Sequence, residues 1–287
     1  MTGAGRIIRV ALAAGLVVLA AASACPAQEQ PAAPAPRSAA KPAETRVYTA
    51  QQQEIMAALD KLLAEQNYEQ LAKTVAALSD GPGITAGLDW GRARTLEGAS
   101  LVVPLVYAAL LWRTAAQNPE YASMRQTSGL MAAYALLVMA ADSPKCADKS
   151  APEHQIASIL AVYKPLLAAV AKLPEEQRTK ITDTALALEK RLAPKRGNDN
   201  YLCRFGLQEH IDTAKKFGDA AYTEAPAKPG QVGKQMVLRF DMSYVPKFRP
   251  AEQWEPEQAA ARARFPELLS TVLNTLGAQA QTGAAKP

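Results

Sequence analysis

Apolar residues recur every three or four positions along most of the chain, and this spacing predicts α-helices. Between residues 49 and 78 the period continues on both sides of a break at Asn67, which predicts an antiparallel pair of helices. Residues 98–117 and 129–141 are apolar on nearly every side. Helices of this kind are buried in soluble proteins, so we expect these two at the centre of the core.

Three further helices are expected towards the C-terminus. One begins at Ser150, where Glu153 completes a capping box, and another follows Pro174. The last carries a buried apolar stripe from Phe265 to Leu276. Ahead of these helices, the glycine-containing stretch from Asp80 to Arg92 is predicted to be a loop.

One stretch shows the alternation of apolar and polar residues that is typical of a β-strand. It runs from Met236 to Tyr244, between Gly233 and Pro246. A single strand among helices needs a partner, so we expect an intramolecular arrangement, either a hairpin with residues near 220–232 or an arm packed on the bundle. An edge offered to another protein is the alternative.

The composition agrees with a helical domain. Apolar residues make up 49% of the chain, enough for a continuous core, while aromatic residues make up only 6%. The sequence therefore predicts a mostly α protein: a single helical, bundle-like domain over residues 47–278, with one short extended segment near 235–245. Residues 279–287 are expected to be a disordered tail.

The first 24 residues have the three-part layout of a cleavable signal peptide. Arg6 and Arg9 precede an uninterrupted run of apolar and small residues from Val10 to Ala22, and Ala24 offers a small residue at a cleavage position. The run of 13 residues is shorter than the ~20 that a transmembrane helix needs. Residues 1–24 are therefore expected to be removed during export.

A cysteine follows the leader directly. The sequence Ala22-Ser23-Ala24-Cys25 resembles the lipobox of bacterial lipoproteins, although Ala22 stands where leucine is usual. The resemblance implies that Cys25 is lipid-modified and becomes the new N-terminus. Ordinary cleavage before Cys25, or before Gln28, is the alternative.

Residues 25–46 are expected to form a disordered tether between the cleavage site and the domain. From Pro26 to Thr45 the segment is rich in proline and alanine and has no apolar side chain larger than alanine, so it cannot build a core. In an extended, polyproline-like form it would reach up to about 60 Å at ~3.1 Å per residue. Such a tether would hold the domain away from a bilayer surface.

Three cysteines in an exported chain leave one over if two of them pair. With Cys25 assigned to the lipid, Cys146 and Cys203 are expected to form a disulfide in an oxidising compartment. A Cys2His2 metal site with His154 and His210 is the alternative, but the spacing of these residues matches no familiar zinc pattern. No metal site is predicted.

Neither histidine belongs to a recognisable catalytic motif. The chain has no Gly-x-Ser-x-Gly, no His-Glu-x-x-His and no Cys-x-x-Cys-His, so no catalytic residue and no cofactor is assigned. The adjacent pairs Glu153-His154 and Glu209-His210 point about 100° apart on a helix and are expected at the surface or the core edge. His210 is expected at the core edge, on a face that it shares with Cys203.

The charge of the chain argues against a nucleic-acid partner. The formal net charge of +5 falls to about +3 once the leader takes Arg6 and Arg9 with it, and no dense Lys/Arg stripe remains. Five cations gather near residues 197–200: Lys190, Arg191, Lys195, Arg196 and Arg204. We expect a solvated helix end there, with anionic lipid headgroups or an envelope polymer as the alternative partner.

Together these features predict an exported, lipid-anchored helical protein of the bacterial cell envelope that binds or scaffolds without catalysis. It is expected in the periplasm, held to a membrane through Cys25, or soluble and secreted if Cys25 is not lipidated. The expected partner is first another envelope protein and second a small apolar ligand. The alternative is a hydrolase-like envelope enzyme in which His154 or His210 acts in a pocket between helices.

The intact mass of the mature protein, measured with and without reductant, tests the leader, the lipid and the thiols together. We expect a chain that begins at Cys25 and carries the added mass of acyl groups. Reductant should then add the mass of two hydrogens as the Cys146–Cys203 disulfide opens. A mature chain that begins at Gln28 would contradict lipidation, and a full-length chain with Cys146 reduced would contradict export.

Overall fold

A computed structural model of the chain describes residues 46–225, 233–241 and 243–283. These residues form ten α-helices and one two-stranded sheet, which confirms the mostly α fold expected from the sequence. The helices, in chain order, are α1 (Ala50–Ala64), α2 (Tyr68–Ala77), α3 (Gly81–Leu96), α4 (Val102–Gln117), α5 (Ala122–Asp142), α6 (Ser150–Ala171), α7 (Glu175–Leu192), α8 (Leu207–Phe217), α9 (Ala251–Ala263) and α10 (Phe265–Gly283). The predicted signal peptide, Cys25 and the tether up to residue 45 lie outside the described residues.

The two most apolar helices, α4 and α5, lie at the centre of the core, as predicted. Eleven of the 16 residues of α4 are buried, and α5 is buried from Ser128 onwards except at two positions. α4 packs against α3 and α5, while α5 also packs against α6, α7 and α9. These contacts explain why both helices are apolar all round: each has helical neighbours on several sides.

The prediction of a loop from Asp80 to Arg92 is wrong, because this stretch forms most of α3. The side chain of Asp80 caps the helix by accepting the Gly83 N–H at 2.5 Å, and a proline in the first turn suits the start of a helix. The glycines let α3 approach α4 closely, since a Cβ at Gly91 would lie 2.9 Å from the Tyr107 side chain.

The start of α6 at Ser150 is as predicted, but the cap is not. Asp148 accepts the Ser150 N–H at 3.0 Å and the Ser150 hydroxyl at 2.6 Å, and the expected capping box with Glu153 is not formed. Within the described residues, α6 is the one helix that is long and apolar enough to cross a membrane by length and composition. Here it packs against α5 and α10.

The segment forms a hairpin, which is one of the expected arrangements, but its strand is shorter than predicted. The strands are β1 (Tyr222–Ala225) and β2 (Gln235–Leu238), paired antiparallel with Tyr222 opposite Leu238. Both faces of the ribbon are open to solvent, with Met236 54% exposed, so little side-chain packing supports a longer strand. Met242, which the strand prediction included, lies outside the described residues.

Two helices, α9 and α10, form the C-terminal part of the described chain. The predicted buried apolar stripe is present in α10, where Phe265, Leu269 and Leu276 are buried against the core. α10 continues to Gly283, five residues beyond the expected end of the domain at 278, so the predicted tail boundary is corrected for residues 279–283. Residues 284–287 lie outside the described residues.

Two glycines of α3 provide a matched test of its close packing on α4. We expect Gly91→Ala to lower the free energy of unfolding by about 1–3 kcal/mol, because the added methyl group overlaps the side chain of Tyr107. Gly81→Ala is the control, since a Cβ there meets nothing within 4 Å. Urea denaturation of both variants measures the difference, and equal stabilities would contradict the close approach of the two helices.

Candidate functional site

A disulfide fixes the segment that precedes α8. Cys146 lies just after α5, Cys203 lies four residues before α8, and their Cα atoms are 5.3 Å apart. The pairing predicted from the cysteine count is therefore confirmed. The bridge joins residues 57 positions apart, and closing a loop of this length stabilises a fold by roughly 4 kcal/mol in the chain-entropy model.

A buried ion pair holds the same segment. The Arg204 guanidinium donates to both carboxylate oxygens of Glu209, at 2.6 to 3.0 Å, and also to the Asp241 backbone carbonyl at 2.9 Å. Arg204 is 3% exposed and Glu209 is 1% exposed. The expectation that Arg204 belongs to a solvated helix end and Glu209 to the surface or core edge is therefore wrong: both charges are buried because they neutralise each other.

The first turn of α8 is tied to the start of α6. The Asp148 carboxylate accepts the Gln208 N–H at 2.8 Å, and the Ser150 hydroxyl accepts the Leu207 N–H at 2.7 Å. These bonds satisfy backbone donors that have no partner inside the helix. They also decide which face of α8 is buried.

The face of α8 that carries His210 is exposed, whereas His210 was expected at the core edge. Glu209 and Thr213 are buried, whereas Leu207 is 62% exposed and His210 is exposed. The ring of His210 lies 4.7 Å from the ring of Phe240 instead of at the core edge. Because Glu209 has a buried partner in Arg204, α8 turns Glu209 inwards and leaves Leu207 and Ile211 exposed.

A cavity of about 550 Å³ opens beside this segment, and we refer to it as the aromatic cavity. Residues within five parts of the chain line it: 66–72, 102–106, 163, 201–205 and 239–240. Its volume falls within the range of small-molecule sites, about 300–1,000 Å³. The lining is mostly apolar, with a few polar groups, as such sites usually are.

Aromatic rings form much of the wall. Tyr68 and Tyr201 meet edge to face with 5.2 Å between their centroids, and Phe205 and Phe240 do the same at 4.8 Å. This geometry is the favoured one for aromatic pairs and gives a wall of defined shape. The ring of Tyr163, on α6, completes the lining.

The phenols in the wall are neutral at physiological pH. Burial, together with the nearby Asp199 carboxylate, raises the pKa of Tyr68 to about 12. The same two causes raise the pKa of Tyr201, and burial also raises the pKa of Tyr163. The cavity therefore presents hydroxyl groups that can donate or accept a hydrogen bond but carry no charge.

Two residues with left-handed backbone line the aromatic cavity. Gln66 has φ 55° and Phe205 has φ 67°, and no other non-glycine residue in the described ranges has a positive φ. This conformation costs a non-glycine residue on the order of 1 kcal/mol or more. The Phe205 N–H donates to Glu209 at 2.6 Å, so the buried ion pair also holds the strained residue in place.

A second, smaller cavity of about 250 Å³ adjoins the first and shares Gln66 and Tyr68 with it. Its carboxylate, Asp199, has its pKa raised by burial. The hydrogen bonds of Asp199 are taken by the chain itself, from the Leu101 N–H at 2.5 Å and the Tyr201 N–H at 2.9 Å. Asp199 thus joins the 197–200 loop to the start of α4.

The cations expected at a solvated helix end divide into two groups. Arg196 is buried between Asp142 and Glu189, at 3.0 and 2.6 Å, and ties α5 to α7. The solvated-end prediction is therefore wrong for Arg196, as it is for Arg204. Lys190, Arg191 and Lys195 are exposed, and Lys195 donates to the Leu96 carbonyl at 3.0 Å.

The histidines lie away from this site. The residues lining the aromatic cavity do not include His154 or His210, and both side chains are exposed. The Cys2His2 alternative needed thiolates, but both sulfurs are in the disulfide. In the described part of the chain, no three His, Cys, Asp or Glu residues are grouped closely enough to hold a metal ion.

The geometry defines a helical domain with a preformed apolar cavity. A scan against protein-family models and searches of curated proteins and of solved structures found no match to this chain. Its function is therefore inferred from its own side chains.

The buried ion pair can be tested by removing one charge. We expect Glu209→Gln to lower the free energy of unfolding by about 3–5 kcal/mol, because it leaves Arg204 buried without a counter-charge. Glu153→Gln, an exposed carboxylate on α6, is the control and should change stability by less than ~0.5 kcal/mol. Urea denaturation of the oxidised protein measures both, and equal effects would contradict the proposed role of Glu209.

Proposed function

We propose that this chain is an exported, lipid-anchored binding protein of the bacterial cell envelope and that its ligand is a small apolar molecule held in the aromatic cavity. The single observation that carries the proposal is the cavity itself: about 550 Å³, walled by Tyr68, Tyr201, Phe205 and Phe240. Its size and lining fit a small apolar ligand, the second of the two partners expected from the sequence.

The wall is held in position by contacts within the chain. The disulfide at Cys203, the ion pair of Arg204 and the aromatic contacts of Phe205 all act within three consecutive residues. A ligand that enters a preformed site does not have to order the side chains around it, and this lowers the entropic cost of binding.

Export and anchoring are part of the proposal. The leader over residues 1–24 and Cys25 support them, and a disulfide suits the oxidising environment outside the cytoplasm. The proposed location is the periplasm, with the domain held to a membrane through Cys25 and the tether. Without lipidation, the protein would be soluble and secreted.

A cell-envelope protein is the second candidate partner. It is favoured by one observation, the exposure of Leu207, Ile211 and Val245 beside a groove along α8. The substitution Leu207→Glu would abolish the binding of a partner on this face, whereas it would leave the binding of a ligand in the aromatic cavity unchanged. The hydrolase-like alternative is not favoured, because it required His154 or His210 in a pocket between helices.

A cavity-filling substitution tests the proposed ligand site. Ala72 lines the aromatic cavity from α2, so we expect Ala72→Phe to place a ring in it and to weaken binding of the neutral probe N-phenyl-1-naphthylamine at least tenfold. Ala77→Phe, at an exposed position of the same helix that does not line the cavity, is the control. Probe fluorescence measures both affinities.

Three results would count against the cavity as the binding site. These are no uptake of the neutral probe by the wild-type protein, equal binding by the two variants, and binding of many probes per chain. A folded Ala72→Phe variant, checked by circular dichroism, makes the comparison valid.

A further inference from the structure

One side chain that lines the aromatic cavity carries a charge that no neighbouring side chain balances. Arg239 lines the cavity at the end of β2, and its side chain is exposed. Its backbone N–H donates to the Ala221 carbonyl at 2.7 Å, which fixes the position of the residue in the hairpin. The guanidinium makes no ion pair with any acid in the described part of the chain.

The other charges that line the cavity are already neutralised. Arg204 donates through Nε and Nη2 to both oxygens of Glu209 and to a backbone carbonyl, so its charge is neutralised within the chain. The Glu69 carboxylate lies 2.5 Å from the ammonium group of Lys73, one turn further along α2. The tyrosine phenols are neutral. Arg239 therefore leaves the lining with one uncompensated positive charge.

From this arrangement we infer that the ligand is an amphipathic anion: an apolar body lies among the rings of Tyr163, Tyr201 and Phe205, and an acidic head group binds Arg239. This inference rests on the proposed function and specifies its ligand class. A guanidinium presents paired N–H donors that match the two oxygens of a carboxylate or sulfonate. Because Arg239 is exposed, the acidic head can keep part of its hydration while the apolar body is buried.

The test compares two probes with the same ring system. 8-Anilinonaphthalene-1-sulfonate carries an anionic group, and N-phenyl-1-naphthylamine lacks it. We expect Arg239→Gln to lower the affinity for the sulfonate probe about tenfold and to change the affinity for the neutral probe by less than about twofold. The reason is that only the sulfonate loses a charge-assisted hydrogen bond. Arg191→Gln removes an exposed charge from α7, outside the cavity lining, and is the matched control.

The responses of the two probes to these substitutions decide whether the ligand is an amphipathic anion. The inference is supported if the sulfonate probe alone responds to Arg239→Gln, and if Ala72→Phe weakens both probes. It is overturned if Arg239→Gln changes the affinity for neither probe, or if Arg191→Gln lowers the affinity for the sulfonate probe equally. It is also overturned if Ala72→Phe leaves the affinity for the sulfonate probe unchanged, because that probe then binds elsewhere. Binding of the neutral probe in those cases leaves the proposed function standing, whereas failure of both probes to bind overturns both proposals.

Discussion

The ion pair between Arg204 and Glu209 is the interaction on which the proposed site depends. Removing two charges from water is costly, and the cost is offset only because the guanidinium and the carboxylate bond to each other and to the backbone around them. One of those backbone groups is the Phe205 N–H. The pair therefore fixes the conformation of the chain at the point where it enters α8.

Several features of the molecule follow from this constraint. Burying Glu209 turns α8 so that Leu207 faces solvent, and holding Phe205 in a left-handed conformation directs its ring towards Phe240. The disulfide at Cys203 restrains the same segment covalently. Because ionic, covalent and aromatic contacts act on neighbouring residues, the chain itself holds the wall of the aromatic cavity in a defined conformation. In that lining only Arg239 is left with an unpaired charge.

Much of the fold could be predicted from local patterns, whereas the site could not. Helical periodicity located the core helices, and cysteine parity identified the disulfide, because both signals are short-range or countable. α3 was missed since its glycines resemble a turn, although they serve close packing on α4. Arg204 and Glu209 were missed because charged residues are normally exposed. The cavity joins parts of the chain from residue 66 to residue 240, and no local pattern reports such a juxtaposition.

The most direct measurement of the central claim is amide hydrogen exchange of residues 201–206 in the oxidised full-length protein, read by mass spectrometry. If the buried ion pair and the disulfide hold this segment, the Phe205 amide should exchange slowly, over hours, as amides of core helices do. Exchange within seconds, as in a mobile loop, would contradict a preformed cavity wall.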